Sequence, residues 1–247
     1  MRHLILSDIH ANLEAFEKCL EAAAEKYDRA VCLGDVVGYG PDPNAVIDRV
    51  RETVEVTIRG NHDKACAGIT DASDFNPIAR EATFWTRDEL TPEHLAYLRQ
   101  LPQGPVTRDG FQMVHGSASD EDEYILHALQ AVPALEQQTI SLVFFGHTHH
   151  QGGFLLADGA VRPIHSSVAE EAGALTLPIE EGVRYLINPG SVGQPRDGDW
   201  RAAFAILDQE KRQVEYYRVR YDVRKTQDKM QKADLPELLI ARLEFGR

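Results

Sequence analysis

The sequence of 247 residues has little cysteine, no long apolar run and no excess of positive charge, and each shortage removes a class of protein. Cys19, Cys32 and Cys66 are odd in number and lack CxxC spacing, so neither a disulfide framework nor a Cys-based zinc site is indicated. That pattern suits a reducing, cytoplasmic setting. The apolar run from His3 to Leu6 is far shorter than a signal or transmembrane segment, so neither export nor anchoring is expected. Acidic residues number 39 against 26 basic ones, a formal charge of −13. This disfavours non-specific binding to nucleic acid or to an anionic membrane surface, and a phosphate ligand would need positive charge supplied locally. The motifs GxxxxGK(S/T), HExxH and GxSxG are also missing, which removes P-loop, zincin and nucleophile-elbow readings.

What is there begins with short β-rich runs, each followed by polar residues: Leu4 to Leu6, Ala30 to Leu33, Val54 to Ile58, Phe111 to Val114 and Leu142 to Phe145. Between the first two, Leu13, Phe16, Leu20, Ala23, Ala24 and Tyr27 mark one face of an amphipathic helix over 12–27, which makes a β-α-β unit. A second helix over 44–51 continues the alternation of an α/β sheet. From 64 to 103 the pattern turns helical, and Asn76-Pro77 and Thr91-Pro92 each place an N-cap residue before a proline at the first helical position. This stretch reads as a helical insertion. Further on, Asp158-Gly159 predicts a hairpin turn, strands are expected over 185–187, 202–207 and 214–219, and a last helix over 235–245. No repeat, low-complexity tract or Gly/Ser linker divides the chain, so one domain over 1–247 is expected.

The chemistry lies in where the polar residues fall. Asp8 and His10 follow the first predicted strand, Asp35 the second, Asn61 and His62 the third, His115 the fourth, and His147 and His149 the fifth. In α/β sheets the carboxyl ends of strands converge where such folds bind ligands, so these N/O donors should meet in one place. Imidazole with carboxylate suits manganese, iron, cobalt or zinc, and the set contains no thiolate. So many donors exceed what one ion needs. Two ions roughly 3.5–4 Å apart would use them, with one carboxylate bridging, and would polarise a phosphoryl oxygen and activate a water near neutral pH.

The blocks Ser7-Asp8-Ile9-His10, Gly34-Asp35, Gly60-Asn61-His62-Asp63, Val114-His115-Gly116 and Gly146-His147-Thr148-His149 resemble, in order, the full motif set of the calcineurin-like metallophosphoesterases. The resemblance implies a four-layer α-β-β-α sandwich and two divalent metal ions. It puts Asp8, His10 and His149 on one ion, Asn61, His115 and His147 on the other, and Asp35 between them. It also implies that His62 binds no metal and assists the leaving oxygen, with Asp63 orienting it; imidazolium is a suitable acid near neutral pH. Gly38 and Tyr39 stand where the Ser/Thr protein phosphatase branch has Asp and Arg, and Asp63 where it has Glu, which argues against phosphoprotein substrates. With Asn188-Pro189-Gly190-Ser191 and Pro195-Arg196, the pattern looks more like the small prokaryotic phosphodiesterases and dinucleoside polyphosphate hydrolases. The expected substrate is a small phosphodiester or a dinucleoside polyphosphate attacked by metal-bound hydroxide. A phosphomonoester is the second choice, and a non-catalytic, protein-binding scaffold of the same fold is the rival class.

The remaining polar residues have simpler readings. His3, His94, His127 and His165 are isolated and expected to be structural or solvated, and His150 should face away if His149 points inward. Asn76 is an N-cap candidate before Pro77, while Asn12 and Tyr39 adjoin the metal loops in positions that turns and helix starts use routinely. The loop over 188–196 should lie at the metal edge, stiffened by Pro189 and Pro195. Arg196 is then either a clamp on the substrate phosphate or a surface arginine paired with Asp197 or Asp199. No oligomeric state is legible.

Overall fold

The computed structural model describes residues 1–168 and 173–247, whose strands form two six-stranded sheets. The chain begins with β1 (Arg2–Leu6), α1 (Leu13–Ala23), β2 (Arg29–Cys32), α2 (Pro43–Thr53) and β3 (Val56–Thr57). Three helices follow, α3 (Asn61–Cys66), α4 (Pro77–Glu89) and α5 (Pro92–Gln100), then β4 (Val106–Arg108), β5 (Phe111–Met113), α6 (Ala128–Glu136) and β6 (Leu142–Phe144). The rest comprises β7 (Gly152–Ala157), β8 (Ala160–His165), β9 (Leu175–Pro178), β10 (Arg184–Asn188), β11 (Ala202–Asp208), β12 (Gln213–Val219), α7 (Val223–Lys232) and α8 (Glu237–Arg242). The first sheet has the order β3-β2-β1-β11-β12-β9 and the second β4-β5-β6-β10-β7-β8. β1, β2 and β3 run parallel, as do β5, β6 and β10; these strands carry the site.

The expected four layers follow from which faces are apolar. Ile5, Val31, Ala205 and Tyr216 of the first sheet pack against Phe111, Phe144, Tyr185 and Ile187 of the second in one buried cluster. The opposite face of the first sheet, with Leu4, Leu6 and Phe204, packs on Phe16, Leu20, Val46 and Ile47 of α1 and α2. Behind the second sheet, Val143 and Leu186 are covered by Ala131 and Leu135 of α6. Strands buried on both faces explain why their sequences read as continuous apolar runs rather than alternating ones.

Local chemistry sets the element ends. Asn12 starts α1 by accepting from the Ala15 N–H at 3.2 Å, and Asn76 starts α4 by accepting from Ala79 at 2.9 Å, with Pro77 at the first helical position. Thr91 caps α5 in the same way, through the His94 N–H at 3.2 Å. Asp158 and Gly159 both have positive φ, as the hairpin joining β7 to β8 requires. Two expected ranges shrink. The strand over 54–58 is reduced to β3 because the Val54 N–H still bonds back to Val50 at the end of α2. The first helix stops at Ala23 because Ala24 turns extended and Glu25 takes a left-handed conformation. The last helix is divided, α8 passing into a short 3-10 turn over Leu243–Phe245. No helix among the described residues is long and apolar enough to cross a membrane.

Candidate metal centre

The loops after β1, β2, β3, β5 and β6 bring all the expected donors to one rim shared by both sheets. His10 Nε2 lies 3.0 Å from His149 Nε2, and His149 Nε2 lies 3.4 Å from Asp8 Oδ1. Asp35 Oδ2 sits 3.6 Å from His10 Nε2 and 3.4 Å from His115 Nε2, which in turn is 3.3 Å from Asn61 Oδ1. Two buried groups have ligand atoms all within 4.8 Å of one another: Asp8, His10, Asp35 and His149, and then Asp35, His115 and His147. Asp35 belongs to both.

The rim is built under local strain. Asp8, His10, Ala11, Asp35, Tyr39, His147 and His149 all have positive φ, a region that costs a non-glycine residue on the order of 1 kcal/mol. These turns aim successive side chains inward directly after a strand. Gly60 and Gly146 are required by close approach: a Cβ on Gly60 would strike Asp35 Oδ1, and one on Gly146 would strike Ser7 Oγ. Loop 188–196 locks the turns from the other side. Val192 and Gly193 donate to Ser7 and Asp8 at 3.0 Å, Ser191 Oγ donates to the Asp8 carbonyl at 2.8 Å, and Asn188 Nδ2 donates to the Gly146 carbonyl at 2.9 Å.

Backbone carbonyls also choose the tautomers. His10, His115 and His149 each direct Nδ1 at a main-chain oxygen, on Val37 at 3.1 Å, Leu33 at 2.8 Å and Gln194 at 2.6 Å. With Nδ1–H donated, Nε2 keeps its lone pair for the rim, the arrangement found behind metal-ligating imidazoles. His147 is held the other way, with Nε2 at 3.0 Å from the Asp122 carbonyl, which leaves Nδ1 as its free donor atom.

A cation fits this donor set. Asp8 and Asp35 are buried, and each has an oxygen, Oδ2, with no hydrogen-bond partner. No lysine or arginine among the described residues pairs with either, so the two negative charges have only imidazoles beside them. Burial raises both carboxyls, yet His149 beside Asp8 and His115 beside Asp35 outweigh it and hold them below the usual range. Burial likewise lowers His115, but Asp35 overrides it and lifts the imidazole to about 10. Burial and the nearby His115 push His147 down to about 3. Burial also lowers His10 and His149, so three imidazoles are neutral beside two anionic carboxylates, the protonation states that divalent metals bind, while His115 carries a proton that a bound ion would displace.

His62 stands beside this centre, its ring 4.3 Å from Tyr39, 4.6 Å from Phe75 and 5.0 Å from His10. Its Nδ1 is buried without a partner, and burial pushes the imidazole down to about 4. Asp63 corrects an expectation. It makes no side-chain bond to His62; its oxygens accept from the Val37 N–H at 3.2 Å and the Gly60 N–H at 3.0 Å, capping α3 and pinning the Asp35 turn. Burial, with the Asp35 charge nearby, raises the Asp63 carboxyl to about 7. Arg196 is not a surface partner of Asp197 or Asp199, which Arg218 and Arg201 occupy instead. It is partly buried, donating to Gln194 Oε1 at 3.0 Å and to the Tyr39 hydroxyl at 3.3 Å.

A cleft of about 270 Å³ opens beside Asn61, His62 and His147, walled by Tyr39, Tyr124 and the 70–76 segment with Phe75. Tyr124 packs on His147, with ring centroids 3.8 Å apart and the planes tilted by 39°. The sequence offered no signal for Tyr124, whose loop is tied to α3 by Lys64 through Glu121 and Asp122. The isolated histidines stay outside. His94 bonds Asn44 and Asp48, each at 2.7 Å, His3 faces Gln209, and His127, His150 and His165 are exposed.

A two-sheet sandwich whose strand ends gather buried Asp and His into two groups sharing a carboxylate, with Asn61 beside the second, is an α/β protein with a candidate metal centre. The chain belongs to the calcineurin-like phosphoesterase superfamily, whose domain model matches residues 1–212. By that membership it is a metal-dependent hydrolase of phosphate esters. It is 32% identical to the protein MJ0912 of Methanocaldococcus jannaschii, over 98% of this chain and 97% of that one. It is 26% identical to phosphodiesterase YfcE of Escherichia coli K12, over 84% and 88% of the two chains. The crystal structure of a metallophosphoesterase from Sphaerobacter thermophilus superposes with a TM-score of 0.87 at 41% identity, covering 100% of this chain and 99% of that one.

Proposed function

We propose that the protein hydrolyses a small phosphodiester or a dinucleoside polyphosphate at a dinuclear centre. Asp8, His10 and His149 take one ion, Asn61, His115 and His147 the other, and Asp35 bridges. The observation that carries this reading is that Asp35 belongs to both donor groups. When bound, the two ions polarise a phosphoryl oxygen and bring a water to hydroxide near neutral pH, which suits manganese, iron, cobalt or zinc. Both sheets supply the rim, which supports treating residues 1–247 as one domain. The three free, buried cysteines fit work in the cytoplasm.

The remaining residues prepare the ester. Arg196 holds a substrate phosphate, supplying positive charge at the rim of an acidic chain. His62 protonates the departing oxygen. Buried at a pKa of about 4, it is neutral in the free protein, and a phosphate anion arriving beside it favours the imidazolium, so His62 takes up a proton from solvent as the substrate binds. Asp63 acts at a distance, by holding the Gly60 and Val37 amides and hence the turns that carry His62 and Asp35. The small cleft favours a compact substrate, and the printed name of the YfcE relative, a phosphodiesterase, agrees with diester cleavage. A screen of phosphate monoesters, diesters and pyrophosphate esters with added manganese tests the reading. Turnover of diesters or dinucleoside polyphosphates above monoesters is expected. A preference for monoesters would make the protein a phosphomonoesterase, and no hydrolysis of any ester would overturn the proposal.

A further inference from the structure

Tyr39 carries two cations on its ring. The guanidinium carbon of Arg196 lies 5.6 Å from the ring centroid and that of Arg242 lies 4.9 Å away. They come from distant parts of the chain, the 188–196 loop and α8, yet both donate to one neutral acceptor, Gln194 Oε1. Two like charges that close repel each other, and Arg196 depresses the basicity of Arg242 further than burial alone does. Among the described residues no carboxylate lies within ion-pair distance of either. The contrast with Arg218 and Arg201 nearby, each matched to an aspartate, is the more telling in a chain of net charge −13. The Nε atoms of Arg196 and Arg242 and the Nε2 of Gln194 are buried and have no partner.

The pair adjoins the metal rim. Tyr39 packs on His62 at 4.3 Å and on His10 at 4.7 Å, and the Gln194 carbonyl accepts from His149 Nδ1. An uncompensated pair of partly buried guanidinium groups is a site for an anion of more than one charge, because planar forks grip phosphoryl oxygens two at a time. We infer that Arg242 joins Arg196 in a clamp for two linked phosphates, Arg196 on the phosphate at the metal rim and Arg242 on its neighbour. The clamp rests on the phosphoesterase reading above and narrows it: of the two substrate classes, the one with a phosphoanhydride chain is selected. Tyr39 serves as the platform that sets the separation of the two forks.

Calorimetry on the manganese-loaded protein tests this with methylphosphonate and methylenediphosphonate, one phosphonate group against two, neither of them hydrolysable. The wild type prefers the diphosphonate. In Arg242→Gln that preference falls at least about tenfold, the loss of one charge-assisted hydrogen bond, while Arg242→Lys recovers part of it. The contribution of the ions is common to both proteins and cancels in the ratio. Equal losses for the two ligands, as expected if Arg242 only fastens α8 to Tyr39, or an unchanged preference, would overturn the clamp. Should the glutamine variant fail to fold, the lysine variant decides alone, because it keeps the charge but not the fork. A wild type that hydrolyses no phosphate ester sinks the proposed function, and the calorimetric ratio still judges the clamp.

Discussion

The two sheets meet at one rim but bring different chemistry to it. The first delivers every oxygen donor, Asp8, Asp35 and Asn61, together with His10; the second delivers imidazole alone, from His115, His147 and His149. Neither donor group closes within one sheet. The larger needs His149 from the second, and the smaller needs Asp35 from the first. Packing the sheets face to face is therefore the event that makes the centre, and Asp35 is the residue on which both halves depend.

The strongest way to break this comparison is Asp35→Ala. Both ions should be lost, with all activity, whereas His147→Ala from the second sheet should keep the ion held by Asp8, His10 and His149. Metal analysis of the two variants decides it, and full occupancy in Asp35→Ala would remove the bridging role. Chelation of the wild type should abolish turnover in the same assay. His62→Ala comes next in size. It should retain its metals and lose roughly 10²–10⁴ in turnover, the usual worth of a general acid. The loss should shrink with a nitrophenyl ester, whose leaving group needs little protonation; an equal loss on every substrate would leave only a positioning role.

Stability sharpens the comparison further. Phe144 lies between the sheets and Phe16 on the outer face of the first, both fully buried. Each substitution by alanine should cost about 3–5 kcal/mol in denaturant unfolding. Only Phe144→Ala should also weaken metal binding, because it alone disturbs how the sheets meet; equal metal affinity in the two variants would contradict that view. Arg196→Ala should raise KM or lower kcat/KM by about tenfold or more, with Arg196→Lys restoring part, as loss of a forked contact requires. Unchanged kinetics in a metal-replete Arg196→Ala protein would take the residue out of the site.

The smallest effect is expected outside the donor set, at Glu14 of α1. Burial raises its carboxyl, but hydrogen bonds from Lys229 and Lys225 outweigh that and hold it below the usual carboxylate range. A depressed carboxyl stabilises the fold above the ordinary carboxylate range and stops doing so as pH falls through it. The melting difference between wild type and Glu14→Gln should accordingly be present at pH 7 and shrink on acidification. A difference that grows in acid would mean that the lysines do not govern Glu14.

Much of this was legible in the chain itself because the information is local. A strand buried on both faces leaves a short apolar run, and a ligand placed directly after it leaves an Asp, Asn or His at a short, regular distance; Asp8, Asp35 and His115 show the pattern plainly. Asn12, Asn76 and Thr91 were readable as caps for the same reason, since a cap bonds a residue three positions on. Other elements left no such trace. α7 buries Thr226, Gln227 and Met230 rather than an apolar stripe, and β9 alternates weakly at a sheet edge. Adjacency suggests a direct bond from Asp63 to His62, but the first turn of α3 directs the carboxylate elsewhere, onto the Gly60 and Val37 amides.

By itself the sequence determined the donor types, their order and the strands that carry them, because side-chain chemistry and short-range backbone preferences are written residue by residue. Only the tertiary structure decided which donors share an ion, that Asp35 stands in both groups, and that Tyr39, Arg196 and Arg242 form one cluster at the rim. Those facts depend on two sheets meeting face to face and on α8 returning to a loop 48 positions earlier in the chain. Contacts of that span are set by the burial of whole faces, and no local pattern records where the far partner will come to rest.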